Sequence, residues 1–342
     1  MQRESRENSA GQWAVLAGLR FLLATIVLAS HARHMGAALV VFGPLRLMGY
    51  QVAMIGFFLI SGFSIAHSVR HPQGFYRRRL DRIYPVYLVG LLFALVPFMV
   101  WGPVVTTYAE KIGAPGSLWD LLGNAFFLQG ITVRRIETNG PLWSLAIEAL
   151  YYLFAPLFAK LRVRHLLALA GLSALAYVGR SRLGAGDWAY NMNGLSAFLL
   201  LWSWLLGFLA YKHGRQIWMR LLLVAGAPLL LLYAPPTPPL AIPVYLLVAA
   251  ALLWPPKLGL LRAGGQKTLQ YLGELSYPLY VVHWPILVLL CSGGQHHPAL
   301  MVVAGCFLAA VLVYHGIDAP MRRRLAARQA LRSEAQNSPA AA

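Results

Sequence analysis

The 342 residues are 58% hydrophobic and only 12% charged, with 29 Lys and Arg against 11 Asp and Glu and a formal net charge of +18. Soluble domains carry about 25% charged residues, so an ordinary soluble chain is excluded. Nucleic-acid binders are as basic but far less apolar. The excess charge therefore reads as the cytoplasmic loops of a membrane protein, and no nucleic-acid partner is expected.

A polar lead-in over 1–12 precedes an apolar run that Arg20 interrupts. A cleaved signal peptide has an unbroken apolar core, so a retained first span is expected over 13–31. Further apolar windows lie at 48–69, 84–101, 141–159, 165–179, 194–211, 217–234, 240–254, 275–291 and 299–316. At roughly 20 residues per crossing, these predict about ten transmembrane helices. The segment 117–130 is apolar but short and holds Asp120, which predicts a helix lying at the membrane interface. Cys291 and Cys306 sit inside apolar stretches and read as packing residues, so neither a disulfide framework nor a metal site is expected. The expected fold is all-α and polytopic: an N-terminal tail (1–12), a transmembrane domain (13–320) and a basic C-terminal tail (321–342) whose end is disordered.

Orientation follows from the basic residues. With the N-terminus in the cytoplasm, 21 of the 29 fall in alternate loops on that side, seven fall opposite and Arg20 lies within a span. The positive-inside rule then predicts an even number of spans with both termini cytoplasmic.

Charge inside the hydrocarbon layer is costly, so residues that break an apolar run are functional candidates. Arg20, His31, Glu148 and His283 do so. Eleven residues on a helix bring Arg20 and His31 within roughly 20° of one face, about 16 Å apart along the axis. Glu148, seven residues into the span that starts at Pro141, reaches the depth just below His31. Each has a structural alternative: Arg20 can serve only to neutralise Glu148, and His283 only to join two helices. Arg79 and Arg82 are three apart, share a helical face and suit phosphate oxygens, although an anchor on anionic lipid has the same signature.

Ordered motifs over nearly the whole chain resemble those of the membrane acyltransferase-3 family. LAGLRFLLATIVLASH (16–31) is similar to its first span, FFLISGFSI (57–65) to its second, and RRLDRIYP (78–85) contains its paired arginines. PLWSLAIEALYYL (141–153), LGELSYPLYVVHWPIL (272–287) and DAPMRRRL (318–325) resemble later motifs. The chain departs from the pattern at Ala17, Ala149 and Asp318, where the family often has Asp, a second Glu and Glu.

The resemblance implies a multi-pass protein of a bacterial-type inner membrane. It would move an acyl group, most commonly acetyl from acetyl-CoA, to a hydroxyl of an envelope or exported carbohydrate or a lipid-linked sugar. The acyl-CoA is a donor substrate, and no permanently bound cofactor is expected. Some longer members carry an extracytoplasmic hydrolase-like domain; without it, the chain is expected to act alone or with a separate acyl-handling partner. The expected roles are His31 as general base, Glu148 orienting its imidazole, and Arg20, Arg79 and Arg82 binding the donor. Ser144, Trp143, Tyr277 and the Gly62 amide are candidate oxyanion donors, and His283 is a secondary candidate. Direct transfer and an acyl-histidine intermediate both fit. The competing classes are a transporter and an envelope-assembly subunit that use the same buried charges structurally.

Overall fold

A computed structural model describes residues 2–37, 42–107, 109–183, 194–234, 237–254, 263–294 and 297–327. Each apolar window coincides with helix. The helices are α1 (Gln2–His34), α2 (Gly43–Arg46), α3 (Tyr50–Ser68), α4 (Phe75–Phe93), α5 (Val96–Trp101), α6 (Leu118–Ala125), α7 (Trp143–Lys160) and α8 (Val163–Arg182). They continue as α9 (Leu195–His213), α10 (Ile217–Leu221), α11 (Ala227–Tyr233), α12 (Ala241–Leu253), α13 (Ala263–Leu290) and α14 (Ala299–Val313). A two-stranded antiparallel hairpin, β1 (Val105–Thr106) and β2 (Lys111–Ile112), follows α5.

Among the described residues, six helices are long and apolar enough to cross a membrane: Ala10–His34, Tyr50–Ser68, Phe75–Trp101, Glu137–Lys160, Leu195–His213 and Ala299–Ala327. Ile217–Tyr233 and Ala241–Leu253 are apolar but shorter. α8 and α13 have the length, but Arg180 and Arg182 in one, and Glu274, Ser276 and His283 in the other, dilute their apolar character. The last helix runs to Ala327, past the expected start of the C-terminal tail. The expected disorder of the chain's end falls on 328–342, outside the described residues.

The core is built on two helix pairs, α1 along α13 and α3 along α9. Small residues allow the close approach, as in other membrane helix pairs. A Cβ on Gly62 would lie 2.0 Å from the Trp204 carbonyl oxygen, and one on Gly207 would lie 1.9 Å from that of Leu59. α3 and α9 thus meet backbone to backbone. On the other pair, a Cβ on Gly273 would lie 2.4 Å from the Ala17 side chain.

Prolines inside helices leave carbonyls without a partner. Pro285 of α13 removes the donor for the Val281 carbonyl, and Asn139 Nδ2 replaces it at 3.0 Å while also donating to the Gly90 carbonyl at 2.9 Å. Asn139 belongs to the 3₁₀ turn Glu137–Leu142 that enters α7, so this side chain ties α7, α4 and α13 together. α6 starts with a capping box: Ser117 Oγ accepts from Asp120 N at 3.1 Å, and Asp120 Oδ2 accepts from Ser117 N at 3.0 Å. Its Leu118, Trp119, Leu122 and Phe126 are exposed, an apolar face suited to lie against lipid.

Candidate active site

Two cavities lie at opposite ends of α1. The first, about 550 Å³, is lined by Trp13 and Arg20 of α1, by Ser61 and Ser64 of α3, and by Arg78, Arg79 and Arg82 of α4. Ser144, Glu148 and Tyr152 of α7, Tyr277 and Tyr280 of α13, and Arg322 complete it. Five guanidinium groups face one carboxylate. The second cavity, about 560 Å³, is lined by His31, Arg33 and His34 from the far end of α1, with Tyr50, Glu110, Arg135, Glu137, Trp143 and Trp284. Met54 and Tyr280 line both, so the arginine cavity and the histidine cavity meet back to back at these two side chains.

In the arginine cavity the polar groups are held by α3. Arg20 Nη2 donates to Ser64 Oγ at 2.6 Å, and Ser64 donates to the Ile60 carbonyl at 2.7 Å. Glu148 Oε1 accepts from Ser61 Oγ at 2.6 Å and from Tyr152 Oη at 2.5 Å. Arg79 Nε is buried without a hydrogen-bond partner, an orphaned donor in a strongly positive space. Arg322 is occupied: it makes a two-pronged bond to Asp318 at 2.8 and 2.5 Å and lies 3.6 Å from Glu274, whose other oxygen accepts from Tyr314. Asp318 ends a π-helical turn, Tyr314–Asp318, a local widening frequent at functional sites.

In the histidine cavity, His31 Nδ1 lies 2.9 Å from Nε2 of His283. Trp284 packs edge-on against His31, ring centres 4.8 Å apart, and Trp284 Nε1 donates to the Glu137 carbonyl at 2.9 Å. At the shared wall, Ser144 Oγ and Tyr280 Oη are 2.6 Å apart, and both also approach the Pro141 carbonyl, at 3.1 and 3.2 Å.

A family model for an acyltransferase domain, that of acyltransferase-3, matches residues 13–315. The chain belongs to that family. Among curated proteins it is similar to acyltransferase MdmB of Streptomyces mycarofaciens, 32% identical over an alignment of 163 residues, with 43% of this chain and 39% of the relative covered. The chain thus matches about two fifths of that relative's length. No solved structure matches it.

Within this acyltransferase-3 chain the sequence-predicted residues separate into two groups. Arg20, Arg79, Arg82, Glu148, Ser144 and Tyr277 line the arginine cavity, and His31 lines the other, backed by His283. Four of these readings do not match the geometry. Glu148 does not orient His31: Trp143 is on the histidine cavity, but the next turns of α7 descend past the wall, so Ser144, Glu148 and Tyr152 face the arginine side. Nor does it form an ion pair with Arg20, whose hydrogen bond goes to Ser64. The Gly62 amide lies within α3 at its contact with α9, and Tyr277 Oη is spent on the Ile83 carbonyl at 2.7 Å, so neither is free to donate to an oxyanion.

Ser61, Ser64, Tyr152, Tyr280 and Met54 were not singled out from the sequence. Their signal was present in α3, where Met54, Ser61 and Ser68 recur every seven residues and so share one face, with Ser64 three residues beyond Ser61. Among the described residues, no three His, Cys, Asp or Glu side chains come together as a metal site requires.

Proposed function

We propose that this chain is a multi-pass acyltransferase of about ten spans in a bacterial-type inner membrane, with both termini cytoplasmic. It would transfer an acetyl group from acetyl-CoA to a hydroxyl of an envelope or exported carbohydrate or related acceptor. The observation that carries this reading is the pair of cavities back to back along α1, one rich in arginine and the other holding His31. In this reading the arginine cavity opens to the cytoplasm and takes the donor. Arg79 and Arg82 bind the nucleotide phosphates, and Arg20 guides the pantetheine arm toward the wall at Met54 and Tyr280. The aromatic and charged lining of the histidine cavity takes the acceptor.

His31 is then the general base. The acceptor oxygen attacks the thioester carbonyl as its proton passes to the imidazole. The hydroxyl pair of Ser144 and Tyr280 at the shared wall holds one proton between its oxygens and gives the other to the Pro141 carbonyl, and stabilising the oxyanion requires that second proton to turn away from Pro141. Collapse breaks the C–S bond, the ester leaves, and the CoA thiolate recovers the proton from His31. Glu148 offsets the charge of Arg20 across the donor cavity and keeps Ser61 and Tyr152 in place.

Incubation of inverted membrane vesicles with radiolabelled acetyl-CoA, followed by extraction of polysaccharide and lipid, tests the reading. Label transfer by the wild type and its loss in His31→Ala, with the variant still inserted and folded, is expected. Near-normal transfer by His31→Ala would rule out the assignment. Absence of CoA release with every acceptor class would move it to a transporter.

A further inference from the structure

The contact between His31 and His283 determines more than proximity. The ring centres are 5.2 Å apart and the planes differ by 7°, with His31 Nδ1 and His283 Nε2 separated by 2.9 Å. A face-to-face stack would bring the centres closer. The two nitrogens therefore lie on the line joining the rings, an in-plane hydrogen bond directed along a lone pair. One of them must hold the proton.

The other nitrogen of His283 decides which. Its Nδ1 is 2.8 Å from the Tyr280 carbonyl oxygen and 3.1 Å from that of Leu279. Carbonyl oxygens only accept, so His283 carries its proton on Nδ1. Nε2 of a neutral imidazole in that tautomer is the acceptor, and His31 Nδ1 must donate to it. His31 is thereby fixed with its proton on Nδ1 and its lone pair on Nε2. His283 is 1% exposed and lines neither cavity, whereas His31 lines the acceptor side.

We propose that His283 is a positioning residue that sets the tautomer of His31 and aims the basic Nε2 at the acceptor hydroxyl. The proposal rests on His31 being the base. A neutral histidine here does what a carboxylate does in a hydrolase triad, and the Tyr280 and Leu279 carbonyls of α13 in turn fix the histidine. When His31 takes the acceptor proton on Nε2, its Nδ1 proton stays shared with His283. The Nε2 proton alone passes on to the thiolate, so the pair returns to its starting state after each turnover.

The test is ¹⁵N NMR of histidine-labelled protein in lipid nanodiscs, with the His31 signals identified by their loss in His31→Phe. A protonated Nδ1 and an unprotonated Nε2 are expected in the wild type, and a shifted or mixed tautomer in His283→Leu. In kinetics, His283→Leu should lower kcat by about 100-fold or more, against about 10⁴-fold for loss of the correct tautomer in a serine protease, with both KM values nearly unchanged. His283→Gln, whose amide oxygen can stand where Nε2 accepts, should recover at least about tenfold of that loss. A wild-type His31 protonated on Nε2, or an undiminished kcat in His283→Leu, overturns the proposal. If His283→Leu does not fold, the wild-type shifts and the Gln variant decide. If His31→Ala still transfers acyl groups, the functional reading fails, while the NMR shifts still decide the tautomer.

Discussion

Arg20 is pinned by Ser64, not by a carboxylate: Nη2 donates to Oγ at 2.6 Å, and the serine's own proton is committed to the Ile60 carbonyl at 2.7 Å. The hydroxyl can then act toward Arg20 only as an acceptor, which fixes the direction of the guanidinium without neutralising it. Removing that acceptor in Ser64→Ala should raise KM for acetyl-CoA by about tenfold or more, because a hydrogen bond to a charged group contributes about 1.5–3 kcal/mol. Steady-state kinetics in detergent check this, and an unchanged KM counts against Arg20 as a donor ligand.

The Nε of Arg79 is buried without a hydrogen-bond partner, a donor suited to a bound anion. If that anion is a CoA phosphate, Arg79→Ala should weaken acetyl-CoA by about 10- to 150-fold in KM, equivalent to about 1.5–3 kcal/mol. Acetyl-pantetheine, which lacks the nucleotide phosphates, should be used equally by variant and wild type. Equal losses with both donors would place Arg79 elsewhere in the chemistry.

Met54 lines both cavities, and in the proposed reaction it limits the space where the acyl group passes. In a tight slot one methylene is worth about 1–3 kcal/mol, or roughly 10- to 200-fold. Met54→Ala is expected to shift the ratio of kcat/KM for butyryl-CoA over acetyl-CoA upward by about tenfold or more. Competition between the two donors measures that ratio, and no change would locate the acyl slot away from this side chain.

The α3–α9 contact leaves no room for a methyl group, since a Cβ on Gly62 would meet the Trp204 carbonyl oxygen at 2.0 Å. Gly62→Ala should therefore cost about 1–3 kcal/mol or more through overpacking. Gly171 in α8 has nothing within 4 Å of its would-be Cβ, so Gly171→Ala is the control and should be neutral or slightly stabilising. Thermal unfolding in detergent distinguishes them.

Asp120, in α6, is held below the usual carboxylate range, mainly by hydrogen bonds from the Ser117 hydroxyl and amide, with the Arg134 amide adding to them. A depressed carboxylate contributes its stability above the unfolded pKa and loses it as pH falls through the folded value. Protection factors of the α6 amides, which divide out the pH dependence of intrinsic exchange, should fall on acidification in the wild type, and in Asp120→Asn they should be lower already at neutral pH and flatter with pH. Identical pH profiles would remove the cap from the account.

Much of the frame was legible because hydropathy and charge report directly on helices that must bury apolar surface. Each apolar window coincides with helix, and α1 presents Arg20 and His31 to the interior as the eleven-residue spacing requires. The cavity that Glu148 faces was not legible because residue count along one span does not reveal where a neighbouring wall lies. Here Tyr280, from a helix more than a hundred residues away in sequence, places that wall between Trp143 and Ser144. His283 posed the same difficulty: nothing in a single sequence states that the ninth apolar window lies along the first. Hydroxyl side chains such as Ser61 and Ser64 are easily overlooked, since an apolar helix tolerates serines bonded to its own backbone.

The two cavities come to a common wall at Met54 and Tyr280 without merging. A continuous water-filled passage lined by arginines and ending at paired imidazoles would conduct ions or protons and discharge the potential across the bilayer. In the proposed reading, the Met54 thioether and the Tyr280 phenol ring between the two basins obstruct free ion flow. In the proposed reaction the acyl group crosses that wall in exchange for the acceptor's proton, so each turnover leaves both sides neutral and carries no net charge across the barrier.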